Sequence, residues 1–256
     1  MSNEVMKKDT GSVALFGDDL QKGFENMTQE DMALPFVRIL GQLSPQVTDG
    51  DAKYIDGAKP GMIYNTVTSE CFDGKKGIKV IPCYYKKDFP EWSDRGDGPG
   101  APVAVHLPNS PVIATGKRDG SKIRLPNGNY LEETASYYVL VETKAGGMTP
   151  ALITMKSTQL NVSKKWNSMM KTIQIPDGKG GMAIPPMHGV VYNLQSVLQK
   201  NDKGSWYGWS VTQDRIMGQE DKSLYLTAKD FNSTAAKGNV QTKADVEEKA
   251  KDSTPY

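Results

Sequence analysis

Residues 148–211 read MTPALITMKSTQLNVSKKWNSMMKTIQIPDGKGGMAIPPMHGVVYNLQSVLQKNDKGSWYGWSV, and the order of patterns in this stretch decides the fold. Pro150 to Met155 (PALITM) reads as a strand returning from the Gly146-Gly147 turn. Next, Val162, Trp166, Met169, Met170 and Ile173 recur at helical spacing, which puts them on one stripe. Lys164, Lys165, Lys171, Asn167 and Ser168 take the other faces. Ser157 or Thr158 is placed to cap this helix, and Pro176 to Gly181 ends it. Met187 to Leu198 then reads as a strand, Asn201 to Gly204 as a turn, and Ser205 to Val211 (SWYGWSV) as the partner strand.

Working outward, Leu34 to Leu43 (LPFVRILGQL) is the first apolar run, and Gly57 to Gly61 a turn. Met62 to Thr68 alternates as a strand does. Ile78 to Tyr85 (IKVIPCYY) is β-rich, and Pro82 inside it predicts an edge strand or a bulge. Asp94 to Pro102 is a glycine-rich loop, and 103–126 reads as short strands broken by Pro108, Pro111 and Gly116. Pro126 to Asn129 (PNGN) is a hairpin turn signal, because Asn-Gly supplies positive φ cheaply. Tyr130 to Thr143 reads as one long strand. A last amphipathic helix covers Asp221 to Lys237, with Leu224, Ala228, Phe231 and Ala235 on one stripe and Gly238 as its stop. Strands, then a helix, then a final strand pair is the order of an OB-type barrel. The expected fold is therefore mainly β: an OB-like β-barrel with a helix inserted before the last strand pair, plus a C-terminal helix. The expected organisation is a flexible acid-leaning segment (1–33, with a short helix after Thr28), the barrel (34–213), the C-terminal helix (214–238) and a disordered tail (239–256).

The 25 glycines and 15 prolines agree with a turn-rich β fold. No apolar run is long enough to span a membrane, and the N-terminus shows no secretory pattern. Two cysteines, Cys71 and Cys83, make no disulfide framework, so a reducing compartment is expected. The net charge is only +1, but it is unevenly spread. Residues 1–35 carry seven acids against three bases, and 36–213 carry fifteen acids against 21 bases. Between Glu142 and Asp202 the only acid is Asp177, against seven lysines, an acid-poor window that fits a polyanion footprint.

Catalytic chemistry finds no anchor. His106, His188 and the two cysteines lack zinc spacing. No phosphate-loop or nucleophile-elbow motif appears. Glu132 and Glu133 are neighbours in a strand and point to opposite faces. Asp94 and Asp97 sit in the glycine-rich loop, where solvation is the ordinary role for a carboxylate. No enzyme activity, cofactor or metal is expected.

Binding chemistry does find an anchor. Sequence-tolerant binding of single strands needs cations along the phosphates and aromatic faces for the bases. Candidate contacts are Lys79, Tyr85, Lys86, Lys87 and Trp92 in the first aromatic-basic segment, and Lys164, Lys165 and Lys171 on the helix. Lys117, Arg118, Lys122 and Arg124 on a hairpin, with Trp206 and Tyr207 in the last strand, complete the set. Tyr84, Trp166 and Trp209 are expected in the core. Trp209 should share the face of Tyr207 if that strand is regular.

The segments LPFVRILGQLSPQV (34–47), AKPGMIYNTVT (58–68), GIKVIPCYYKKDFPEW (77–92), LPNGNYL (125–131), STQLNVSKKWNSMM (157–170) and NDKGSWYGW (201–209) resemble a family of tailed-phage single-stranded DNA-binding proteins. The resemblance implies an OB-like accessory protein of phage DNA replication or recombination, in the cytoplasm of an infected bacterial host. Single-stranded DNA is the expected partner, and phage replication proteins are a second through the tail. That tail, KADVEEKAKDSTPY, ends in Tyr256 but sets four acids against three lysines, unlike the strongly acidic tails of such binders. A homo-oligomer is left open. The rival expectation is a phage virion structural or scaffold protein without nucleic-acid binding.

Overall fold

The β-branched and aromatic runs pair as strands because alternation gives each of them an apolar face to bury. The computed structural model describes residues 15, 17–19, 22–27, 31–93, 101–202 and 204–238. The expectations for the Thr28 helix, for most of the 94–102 loop and for the tail beyond 238 lie outside them. In chain order the strands are β1 (Val37–Ile39), β2 (Ile63–Asn65), β3 (Cys71–Phe72), β4 (Ile78–Trp92), β5 (Ala104–His106), β6 (Lys117–Asp119) and β7 (Lys122–Arg124). Then follow β8 (Tyr130–Glu132), β9 (Thr134–Glu142), β10 (Met148–Lys156), β11 (Ile175–Pro176), β12 (Met182–Ala183), β13 (Val190–Asn201) and β14 (Gly204–Ile216). The α-helices are α1 (Pro111–Thr115), α2 (Leu160–Thr172) and α3 (Lys222–Ala236).

The fold is mainly β, a strongly curled half-barrel sheet with a C-terminal helix, consistent with an OB-like barrel. Its five principal strands are hydrogen-bonded in the order β10-β9-β4-β13-β14, with α2 inserted before the β13–β14 pair. Strand β4 is the spine. Its first half pairs with β9 and β13, and its second half pairs with β5 and β8. Pro82 is therefore not at an edge. It sits where the β4–β9 register shifts between Pro82 and Tyr84, the bulge being what a residue without an N–H requires. The β10 and β14 ends of the sheet are both met by β1. Phe36 bridges Leu152 in parallel, and the Leu152 N–H donates to the Pro35 carbonyl at 2.8 Å.

Two apolar layers hold the sheet. Inside, Ile78, Val80, Tyr137, Val139, Ile153, Tyr192 and Leu194 close around Trp166 and Met170 of α2. Outside, Ile81, Cys83, Leu140, Leu152 and Val191 pack under Ala228 and Phe231 of α3, the stripe expected from the sequence. An antiparallel sheet can leave one face in water; here α2 and α3 cover both, and the apolar surface that they bury adds to its stability. A third, smaller cluster of Phe89, Ile123, Leu125 and Leu131 supports the lobe formed by β5 to β8.

Several local expectations are corrected. Ser157 and Thr158 do not cap α2; a 3₁₀ turn, Ser157–Gln159, precedes it and no side chain closes its first turn. Gln159 is used across the fold instead, its Oε1 accepting the Trp209 N–H at 2.7 Å. The strand expected over Tyr130 to Thr143 is interrupted only at Glu133: β8 and β9 pair with β4 in one register, and the break falls where their other neighbour changes from β7 to β10. The run from Leu34 to Leu43 contributes only three strand residues. Helix α1 and the β11–β12 hairpin are local elements that composition hid behind prolines and glycines. At the PNGN turn, Gly128 takes φ +89° and its N–H donates to the Leu125 carbonyl at 3.1 Å, as foreseen for a hairpin.

Candidate nucleic-acid interface

The expected contact residues fall into four groups, and the fold does not bring them into one surface. Strand β13 pairs with β4 only at Ile78 to Val80, so the rest of the β13–β14 hairpin projects past the start of β4. The β5–β8 lobe sits at the other end of β4. Trp92 and Trp206 therefore lie at opposite ends of the spine.

On the lobe, antiparallel register aligns Lys117, Arg124, Tyr130 and Trp92 across four strands, which places them on one face. Lys122, two residues from Arg124, joins them: its Nζ lies 3.6 Å from the Tyr130 ring centroid. Arg124 stands 5.7 Å from the same centroid and pairs with Asp119 at 3.3 Å. Arg118 is opposite Ile123 and belongs to the other face. Beneath the lobe, the buried Glu91 carboxylate accepts from Asn129 (2.6 Å), from Asn127 (3.0 Å) and from the His106 ring at 2.7 Å. The Asn129 bond, followed by that of His106, holds Glu91 below the usual glutamate range.

Along β4 the expected cations are already engaged. Lys79 pairs with Asp214, Lys86 with Asp88 at 3.2 Å, and Lys87 with Glu133 at 2.6 Å. Tyr85 packs 5.1 Å from Tyr137, against the inner core. A strand of DNA would have to displace carboxylates to reach these lysines. Lys164, Lys165 and Lys171 are different: all three are exposed and make no ion pair among the described residues. Lys164 and Lys171 lie two turns apart on one face of α2. The opposite face is fixed by Trp166 and by the Tyr137 hydroxyl, which donates to the Asn167 Oδ1 at 2.9 Å and lies 2.8 Å from the Ser163 hydroxyl. Trp166 and Trp209 are buried, as expected, whereas Tyr84 is only half-buried beside Tyr138.

The fourth group is the best formed. Tyr207 and Trp206 are half-buried at the base of the β13–β14 turn. Tyr207 shares the inner face with Trp209 and lies directly over Gly61. A Cβ at Gly61 would fall 2.5 Å from the Tyr207 ring, and the φ of +88° suits only glycine. The ring divides two depressions. One, of about 340 Å³, is walled by Ile39 to Leu43 and Trp206; the other, of about 640 Å³, carries Lys59 and Lys75 together with Asp73, whose Oδ1 accepts the Lys75 backbone N–H at 2.9 Å. These two lysines lie outside the candidate set, although each sits between the glycines of a turn, Gly57–Gly61 and Gly74–Gly77. Lysines between the glycines were the available signal.

Among the described residues no group of three or more His, Cys, Asp or Glu is placed to hold a metal ion. No helix among them is long and apolar enough to cross a membrane. Cys71 and Cys83 are both free, and burial pushes the Cys83 thiol up to about 12. The model of the Pam3 phage gp34-like protein family matches residues 7–241.

The chain belongs to the Pam3 phage gp34-like family.

That match takes in the whole barrel, α2 and α3. The resemblance noted in the sequence thus holds at the level of a phage protein family. No curated protein and no solved structure matches the chain.

Proposed function

We propose that this protein binds single-stranded DNA with little sequence preference and performs no covalent chemistry, as an accessory of phage replication or recombination in the host cytoplasm. The observation that carries the reading is Tyr207 over Gly61, with Trp206 beside it and Lys59 and Lys75 along the adjoining depression. Aromatic faces stack bases of any identity, and lysines follow the phosphates. The β13–β14 turn also occupies the position of the last inter-strand loop of an OB barrel, one of the loops that such folds use for oligonucleotides. The exposed lysines of α2 add to the field that draws a polyanion in.

One observation favours the rival reading of a phage structural protein without nucleic-acid binding. Lys79, Lys86, Lys87 and Lys156 each already face a carboxylate. Titration with oligo(dT) at about 50 and about 200 mM salt separates the two. Each lysine on a phosphate adds about 0.7 to the salt slope, so Lys59 and Lys75 alone weaken binding about sevenfold over that range. Tryptophan quenching should accompany binding and come from Trp92 or Trp206, because Trp166 and Trp209 are buried. Replacing Lys164 and Lys165 by glutamate should lower affinity and leave the melting temperature unchanged. Absence of any shift or quenching at low salt would rule DNA binding out.

A further inference from the structure

One concavity is lined by none of the candidate contact residues named from the sequence. It opens between the β1–β2 pair and the loop at 44–55, with a volume of about 690 Å³. That is the size range of small-molecule sites. Its lining holds two cations, Arg38 and Lys53, and no carboxylate. This is not for want of acids nearby, since Asp49, Asp51 and Asp56 all belong to the same stretch of chain. Asp51 instead turns back on the loop, its Oδ1 accepting the Lys53 backbone N–H at 2.8 Å.

Arg38 is placed by its strand. Val37 is buried and Arg38 exposed, the alternation expected of β1, and Tyr64 is directly opposite Arg38 in β2. The guanidinium stands 5.7 Å from the Phe36 ring centroid and makes no ion pair among the described residues. Stacking on an aromatic face steers its donor fork without consuming it. Tyr54, on the opposite wall, is 41% exposed and offers an open ring. At the rim, Ser69 holds φ +59°, unusual outside glycine. Asn65 fixes it: its carbonyl accepts the Ser69 N–H at 3.0 Å, and its Oδ1 accepts those of Val67 and Thr68 at 3.0 and 3.1 Å. Backbone strain of this kind, tied down by a buried side chain, gathers at ligand clamps.

We propose that this cleft is a nucleotide subsite, with a phosphate held by Arg38 and Lys53 and a base laid against Tyr54. Paired cations without a competing carboxylate fit a phosphate, and a fork-shaped guanidinium matches its oxygens two at a time. A neutral open aromatic ring beside them fits a base. Ile39, the next residue along β1, lines the depression beside Tyr207, so the two concavities border the same strand from opposite faces. The nucleotide therefore has two possible sources, one link of a bound DNA strand or a free mononucleotide. Only the first source rests on the function proposed above.

The test titrates the full chain with oligo(dT), with thymidine 5′-monophosphate and with inorganic phosphate, by calorimetry. The parent is compared with Arg38→Gln, Lys53→Gln and Tyr54→Leu, each checked by thermal melting. Loss of one charge-assisted contact should weaken binding roughly tenfold to a hundredfold in Arg38→Gln. Should that variant fail to fold, Lys53→Gln on the loop carries the same test. Weakened oligo(dT) binding without mononucleotide binding supports the cleft and assigns it to the strand. Mononucleotide binding that needs Arg38, in a chain that ignores oligo(dT), supports the cleft and overturns single-strand binding. Oligo(dT) binding untouched by all three substitutions, with no mononucleotide bound, overturns the cleft and leaves single-strand binding standing. Binding of neither oligo(dT) nor mononucleotide overturns both.

Discussion

Replacing Trp166 by alanine empties the centre of the inner core. Trp166 is the largest fully buried side chain, stacked 4.3 Å from the Tyr137 ring and edge-on at 5.6 Å from Tyr192. Burying a tryptophan removes roughly 200 Å² from water, which at about 25 cal/mol per Å² is about 5 kcal/mol. One term opposes this. The indole Nε1 is buried without a hydrogen-bond partner among the described residues, and such a group costs about 1–3 kcal/mol. Alanine forfeits the burial, relieves the orphaned N–H and leaves a cavity, for a net loss of about 3–4 kcal/mol. Phenylalanine keeps most of the apolar area and also removes the N–H, so its cost should stay within about 1.5 kcal/mol. For a chain of this size each kcal/mol moves the melting temperature by about 2–4 °C. The alanine variant should therefore melt roughly 6–16 °C lower, and the phenylalanine variant less than about 6 °C lower. Thermal unfolding followed by circular dichroism reads both. An alanine variant that melts within about 3 °C of the parent would refute the packing argument. The phenylalanine variant should also keep its oligo(dT) affinity, because a side chain with no exposed surface stacks no base.

Two further outcomes follow from particular contacts. Gly61→Ala should disturb the Tyr207 platform, since the new methyl meets the ring at 2.5 Å and the backbone stands at φ +88°. Weaker oligo(dT) binding and a melting temperature several degrees lower are expected, and an unchanged variant would show that Tyr207 has room to move aside. The β5–β8 lobe should loosen in acid. Glu91 is held below its ordinary value of 4.5 by Asn129, His106 and Asn127, so its stabilising contribution is present above that value and is lost as pH falls through the lower, folded-state value. Hydrogen exchange over 104–131 should quicken on acidification below the ordinary glutamate range, after correction for intrinsic rates, and Glu91→Gln should abolish the dependence. Equal protection on both sides of that range would remove Glu91 from this role.

The OB-like order came from short-range signals. Period-2 runs gave the strands, a period-3.6 stripe gave α2 and α3, and Asn-Gly gave the β7–β8 turn. Trp166 was legible as core because the stripe that buries it lies within one helix. The corrections to Pro82 and to the 130–143 strand share one cause, namely that pairing partners lie far away in sequence. Nothing local distinguishes β8 from β9, because the break at Glu133 falls where their outer neighbour changes from β7 to β10 while both keep one register on β4. The prolines and glycines that marked turns also concealed α1 and the β11–β12 hairpin.

The candidate site divides along the same line. Composition and spacing determined that this chain interleaves cations with aromatics on a β framework, and that its acid-poor window holds α2 and the last strand pair. Which cations stay open was decided only by the tertiary structure. Lys79 meets Asp214 from 135 residues away, whereas Lys164 and Lys165 meet no carboxylate among the described residues. Tyr207 over Gly61, and Arg38 opposite Tyr64 above a cleft without carboxylates, are likewise products of register and closure. Periodicity is fixed by neighbours along the chain. Charge pairing and concavity are fixed by neighbours in space, which the sequence states only once it has folded.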